Sequence, residues 1–292
     1  LIMQYNMSPE TIADSVMPGV DVETLLTKNK FDVPKDHCLS STGQLFRTDT
    51  HGIFPQIVEE LYNERSVTKK KALNAMQDLE KISKDDIHQR FQVEKKISLY
   101  NNQQMAVKIL MNSLYGAMSN KWFRYYDIRM AEAITISGQL TIRWAEQRIN
   151  KYLNELLKTG NVDYVLAIDT DSLYVRLGDL VSKVMPDETD QDKICKFIDK
   201  VAAQKIEPLL ANAYEELKDY VNAYEQKMVM AREIIASRVV FTGKKRYIAN
   251  VLNNEGVQYS SPKLKVTGIE SVRSSTPQVC RKMIEKTLKL IL

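Results

Sequence analysis

Only three cysteines occur in 292 residues, Cys38, Cys195 and Cys280. Odd in number and far apart, they exclude a disulfide framework and a CxxC metal site, and they fit a reducing, intracellular compartment. No apolar run approaches the ~18 residues of a membrane-spanning helix. No charged stretch leading into an apolar one marks a secretory signal. Internal repeats and low-complexity segments are missing too, which leaves ordinary globular architecture. What remains is 44% hydrophobic and 27% charged, enough core for one large domain or two smaller ones. The net charge of +4 permits a polyanionic partner without requiring one. The chain starts at Leu1 rather than Met and ends in the helical pattern Val279, Met283, Ile284, Leu288, Ile291, so a piece of a longer protein is expected.

Asn6–Asp14, with Ser8 as N-cap, Pro9 at the first helical position and Glu10 in the first turn, predicts a short helix. Signals from Val20 to Thr50 are mixed, but Leu39–Phe46 reads as a hairpin turned at Thr42-Gly43. Apolar residues at helical spacing predict a helix from Ile53 to about Ile82 and another from Asp85 to Asn120, roughly 50 Å long. The short Ser83-Lys84 link makes them an antiparallel, projecting arm. Ala131–Lys158 forms a further helix, with Ala145, Ile149, Tyr152, Leu153 and Leu156 inward and Gly160 as its stop. Asp190–Tyr224 is helical with a break near Pro208. Strands follow at Met228–Ile235, Arg238–Thr242 and Tyr247–Leu252, and Thr276 caps a last helix with Pro277 at its first position. Helices alternating with antiparallel hairpins give an α+β class, an antiparallel sheet packed on helices with a two-helix arm inserted.

Three stretches carry chemistry. On the second arm helix Lys108, Asn112 and Tyr115 recur at i, i+4 and i+7, while Ile109, Leu110 and Leu114 pack elsewhere. A cation, an amide and a phenol on one face suit a triphosphate, a sugar or base edge and a stacked base. They equally suit the wet side of an amphipathic helix. Arg65 and the run Lys69, Lys70, Lys71 lie on the facing helix, either as a solvated face or as partners of Lys108. Between two apolar, core-like strands, Asp169-Thr170-Asp171-Ser172 places carboxylates at a hairpin tip. Acids are common at turns, yet rigid strands also present carboxylates well to a divalent metal. Finally, Lys244, Lys245 and Arg246 beside Tyr247 form a tip that is either merely solvated or apposed to a phosphate backbone.

Lys108–Gly116, KILMNSLYG, resembles the K-x3-N-S-x-Y-G motif of B-family DNA polymerases; Asp169–Ser172 resembles their DTDS hairpin and Lys244–Tyr247 their KKRY segment. All three stand in family order, and Phe123–Arg129 (FRYYDIR), Phe241–Tyr247 (FTGKKRY) and Lys263–Pro277 resemble the T-even bacteriophage branch. The resemblance covers essentially the whole chain. It implies palm at residues 1–51 and 121–268, fingers at 52–120 and the start of a thumb at 269–292. It further implies DNA-directed DNA synthesis in viral replication, in the host cytoplasm, by two Mg²⁺ ions.

By the same resemblance Lys108 holds the incoming triphosphate, joined by Arg65 and Lys69; Asn112 contacts the nucleotide; and Tyr115 packs at the nascent pair. Asp171 binds the metals, with Asp169 and, in an A-R-E stretch that departs from the family's D-R-E at Ala231, Glu233 as further carboxylates. Lys244, Lys245, Arg246, Tyr247 and Lys265 contact primer–template DNA. The family's first metal-binding Asp, in a D-x2-SLYP motif, belongs just upstream of Leu1, as does an exonuclease domain. These 292 residues alone are therefore expected not to polymerise without that segment, carried on the same gene or on a separate chain. A sliding clamp would attach beyond Leu292. The competing expectation is a non-catalytic nucleic-acid-binding module that retains the fold.

Overall fold

A computed structural model describes all residues, Leu1–Leu292. In chain order it contains β1 (Ile12–Val16), α1 (Val22–Leu26), β2 (His37–Leu39), β3 (Gln44–Arg47), α2 (Ile53–Lys81), α3 (Ile87–Met118), α4 (Ile128–Leu157), β4 (Val165–Asp169) and β5 (Ser172–Val175). There follow α5 (Gly178–Val184), α6 (Gln191–Val201), α7 (Glu207–Tyr220), β6 (Ile234–Gly243), β7 (Arg246–Asn254), β8 (Val257–Thr267) and α8 (Gln278–Ile291). Mixed helix and antiparallel sheet agree with the α+β class, but the strands form three separate sheets: β1-β3-β2, β4-β5 and β6-β7-β8. No helix is long and apolar enough to cross a membrane. The chain divides into two compact units, Leu1–Ala72 with Lys95–Arg176 and Lys205–Met230, and Leu73–Glu94 with Leu177–Gln204 and Ala231–Leu292.

The first unit is built on α4. Asp127 caps it by accepting the Arg129 N–H at 2.9 Å, and Met130, Ala133, Leu140, Trp144, Ile149 and Leu153 recur at helical spacing on its buried side. Met130, Ala133, Leu140 and Trp144 join Tyr5, Met7, Leu39, Phe46, Phe54 and Leu217 in one core, each fully buried large residue stabilising by about 1.5–3 kcal/mol. The Trp144 indole donates to the Ala213 carbonyl at 2.9 Å, so its polar atom is satisfied while its ring stacks on Tyr220. α4 ends at Lys158, which takes the left-handed conformation at φ 58°. Gly160 was the expected stop, and Leu156, expected inward, is exposed.

The predicted helix after Ser8 is absent. Thr11 folds back instead, accepting the Ser8 N–H at 3.0 Å, and β1 begins at Ile12. The hairpin at Thr42-Gly43 forms, with Leu39 opposite Leu45. α2 and α3 form close to their expected bounds. Arg65 donates to Gln104 at 3.2 Å and Arg90 to the Leu79 carbonyl at 3.2 Å, so partners further along α2 fall earlier along α3, as an antiparallel pair requires.

In the second unit β6, β7 and β8 form an antiparallel meander in which Phe241 faces Tyr247 and Ala249 faces Lys265. Cys195 and Ile198 of α6 pack on Ile235 and Leu252, and Ile284 and Leu288 of α8 on Ile248, Val266 and Ile269. Met228–Glu233, expected as strand, is irregular; β6 instead runs unbroken from Ile234 through bulges near Ala236. Pro277 sits at the cap of α8 rather than inside it, and no side chain caps that end. A π-helical turn, Ala202–Ile206, precedes Pro208, which accommodates the N–H that proline lacks.

Candidate functional site

Lys108, Asn112 and Tyr115 all lie on exposed positions of α3, as their spacing requires. The Tyr115 phenol shares a hydrogen bond of 2.9 Å with the Thr135 hydroxyl of α4, which pins the ring without covering it. Ile109 and Leu110, expected to pack away from this face, are 60% and 56% exposed; only Leu114 reaches the core. Arg65 is bonded to Gln104, which lies one turn of α3 before Lys108. Lys69 follows one turn further along α2 and is half-buried. Gln104 and Thr135 carried no sequence signal, because each acts only through a partner on another helix.

The carboxylate hairpin forms as expected. Asp169 pairs with Ser172, Thr170 takes φ 57°, and the Asp171 N–H donates to the Asp169 carbonyl at 2.7 Å. This tight tip leaves Asp171 exposed and Asp169 half-buried, with the Thr170 hydroxyl donating to Asp169 Oδ1 at 3.1 Å. The flanking strands are less core-like than their apolarity suggests, since Leu166 is 55% exposed. Their base is held from α4. Asn150 Oδ1 accepts the Tyr164 N–H at 2.8 Å, and the Asn154 side chain bonds both the N–H and the carbonyl of Val162 at 2.9 and 2.8 Å.

No group of three or more His, Cys, Asp or Glu side chains gathers to hold a metal. The donor set at the tip is hard and anionic, with an open outer side. It fits Mg²⁺, which is commonly held by one or two carboxylates while water and substrate phosphates complete its octahedron.

In the second unit the hairpin tip pairs Gly243 with Arg246, leaving Lys244 and Lys245 as the turn and Lys245 at φ 60°. Both lysines are exposed. Arg246 is engaged by Glu270 at 2.6 Å, and Tyr247 is buried, its ring 5.7 Å from that of Phe241. Gly268 lies under the turn, where a Cβ would stand 2.2 Å from the Lys245 carbonyl oxygen. Glu233 is bonded to Lys265 at 3.1 Å. Burial alone would lower the Lys265 ammonium, but the Glu233 carboxylate and the Tyr247 phenol outweigh it and hold its pKa above the ordinary value. Glu233 is thus paired with a cation within this unit.

These sites sit in a chain that the family model for DNA polymerase family B matches over residues 1–292. The chain is similar to the DNA-directed DNA polymerase of Escherichia phage RB69, at 33% identity over all of this chain and 37% of that protein. It is similar to the one of Enterobacteria phage T4 at 32%, again over 37% of its length. A "DNA polymerase beta" of African swine fever virus is 26% identical across 99% of this chain and 24% of its own. The chain therefore spans little more than a third of the phage relatives. With the family model covering every residue from Leu1 to Leu292, the chain belongs to DNA polymerase family B.

Proposed function

We propose that this chain carries the nucleotide-binding face and one metal-binding hairpin of a DNA-directed DNA polymerase. The observation that carries the proposal is the presence, within one compact unit, of the Asp169–Asp171 tip and the exposed Lys108–Asn112–Tyr115 face. Residues 1–51 and 121–268 serve as palm, 52–120 as fingers and 269–292 as the start of a thumb. Primer–template DNA and deoxynucleoside triphosphates are the substrates.

In the reaction the primer 3′-hydroxyl loses its proton to solvent as its oxygen bonds the α-phosphorus, the α–β phosphoanhydride breaks, and pyrophosphate leaves with the electron pair. Asp171 and Asp169 would hold Mg²⁺, which when bound would supply Lewis acidity to the attacking oxygen and the phosphates. Lys108 and Arg65 neutralise the triphosphate as charge shifts onto the leaving group, a role for preorganised cations. Asn112 supplies donors and an acceptor to the nucleotide, and Tyr115, fixed through Thr135, offers a ring face to the base pair. Lys244, Lys245 and Lys265 neutralise the duplex backbone.

Because the tip offers two carboxylates and no third gathers near them, these residues extend a primer only when the rest of a polymerase is supplied. The same observation favours a second reading, a nucleic-acid-binding module without catalysis. Asp171→Ala in the longer polymerase separates the two. The proposal expects extension to fall by about 10²- to 10³-fold, the scale of a lost transition-state stabiliser, with DNA affinity kept. Extension that survives the substitution would refute it.

A further inference from the structure

The start of α2 has no cap of its own, since Gly52 has no side chain. Its first intrahelical bond runs from the Gln56 N–H to the Gly52 carbonyl at 3.2 Å, so the N–H groups of Gly52, Ile53 and Phe54 need outside acceptors. Pro55, next in line, has no N–H to satisfy. All three acceptors come from one stretch more than forty residues earlier. Asn6 Oδ1 takes the Gly52 N–H at 2.9 Å, Glu10 Oε1 takes that of Ile53 at 2.5 Å, and Ser8 Oγ takes that of Phe54 at 3.3 Å. The clamp is itself braced. Ser8 donates to Glu10 Oε2 at 2.6 Å, and the Asn6 amide donates to the carbonyls of Arg47 and Thr50, each at 2.7 Å. Asn6 and Ser8 are fully buried. Gly52 permits the approach, because a Cβ there would lie 2.6 Å from the Ser8 Cβ.

Burial would raise the Glu10 pKa, but the Ser8 hydroxyl and the Ile53 N–H outweigh it and hold the carboxyl below its ordinary value. It is therefore an anion facing the positive end of the helix dipole.

We propose that Asn6, Ser8 and Glu10 are positioning residues for the nucleotide site, setting the direction in which α2 leaves the core. The inference rests on the polymerase reading given above. Arg65 lies twelve residues beyond Ile53, about 18 Å at 1.5 Å per residue. A swing of about 10° at the base therefore moves its guanidinium by roughly 3 Å, enough to break any hydrogen bond to a phosphate. Phe54 in the core and the 2.8 Å ion pair between Glu59 and Lys227 keep the helix attached without the clamp. Losing it changes the aim of α2 and not its attachment, so the effect falls on nucleotide capture and not on the hairpin that holds the metal.

The test uses the longer polymerase containing this chain, with Ser8→Ala, Glu10→Ala and Glu10→Gln. The proposal expects Ser8→Ala and Glu10→Ala to raise KM for deoxynucleotides roughly three- to tenfold, as loss of one cap does, with kcat within about twofold. Glu10→Gln, which keeps an acceptor oxygen, returns KM close to the parent value. Amide exchange at Ile53 and Phe54 reads the clamp independently of activity and should quicken in both Ala variants. Faster exchange with unchanged KM overturns the proposal, as does a fall in kcat with KM unaltered, the mark of a merely structural role. A parent enzyme that does not extend primers overturns the polymerase reading itself, whatever the exchange rates.

Discussion

A glycine series across the second unit tests the close packing beneath the Lys244-Lys245 turn. Gly243 has nothing within 4 Å of an added Cβ; Gly256 has φ +86° with the nearest atom at 3.9 Å; Gly268 has φ +67° with the Lys245 carbonyl oxygen at 2.2 Å. Alanine at Gly243 meets neither strain nor a clash, so its effect stays within about 0.5 kcal/mol. At Gly256 the left-handed backbone alone costs an L-residue about 1–2 kcal/mol. At Gly268 that strain is joined by a backbone contact that no side-chain rotation relieves. The overpacking adds about 1–3 kcal/mol, for roughly 2–5 kcal/mol in all, a large part of the 5–15 kcal/mol by which domains are usually stable. Urea denaturation of the three variants, followed by amide exchange in β7 and β8, should rank them Gly243→Ala, Gly256→Ala, Gly268→Ala in increasing destabilisation. Gly268→Ala within about 0.5 kcal/mol of Gly243→Ala would refute the claim that the turn rests on that glycine.

Two further outcomes follow from exposure and charge. If Lys244 meets a phosphate, Lys244→Ala should weaken DNA binding alike for all sequences and reduce the slope of log affinity against log salt by about 0.9; Arg246→Ala, already engaged by Glu270, should change the slope less. Trp122 is 85% exposed and Trp144 3% exposed, so acrylamide should quench Trp122 selectively, and Trp122→Phe should leave a blue-shifted emission that quenching barely touches. Equal quenching of the parent and Trp122→Phe proteins would contradict the burial of Trp144.

How much was legible in the sequence depended on whether a residue's partner lay close along the chain. The arm helices follow from their own periodicity and a short link. The carboxylate tip follows from Val165–Ile168 and Leu173–Val175 flanking four polar residues, and the basic tip from Gly243–Arg246. Membership of the polymerase family follows from the three motifs in order, and the family model covers the chain from end to end. What failed was set by contacts distant in sequence. Ser8-Pro9-Glu10 is a sound start signal, but it caps α2 rather than a helix of its own. β8 carries no clear strand pattern, because Pro262 and the lysines 263 and 265 interrupt it. It is an edge strand, where proline and lysine are tolerated, and Pro262 falls in the register slip opposite Leu252. Tyr247 and Glu233 looked available in sequence, and only the packing of β6, β7 and β8 shows one buried and the other bonded to Lys265.

The most direct test of the central claim is primer extension with Mg²⁺ and all four deoxynucleotides, comparing residues 1–292 alone with the same residues in a complete family B polymerase. Extension is expected from the complete protein and none from the isolated chain, although the latter should bind primer–template DNA. Extension by the isolated chain would contradict the claim that its two hairpin carboxylates need others to complete the metal site.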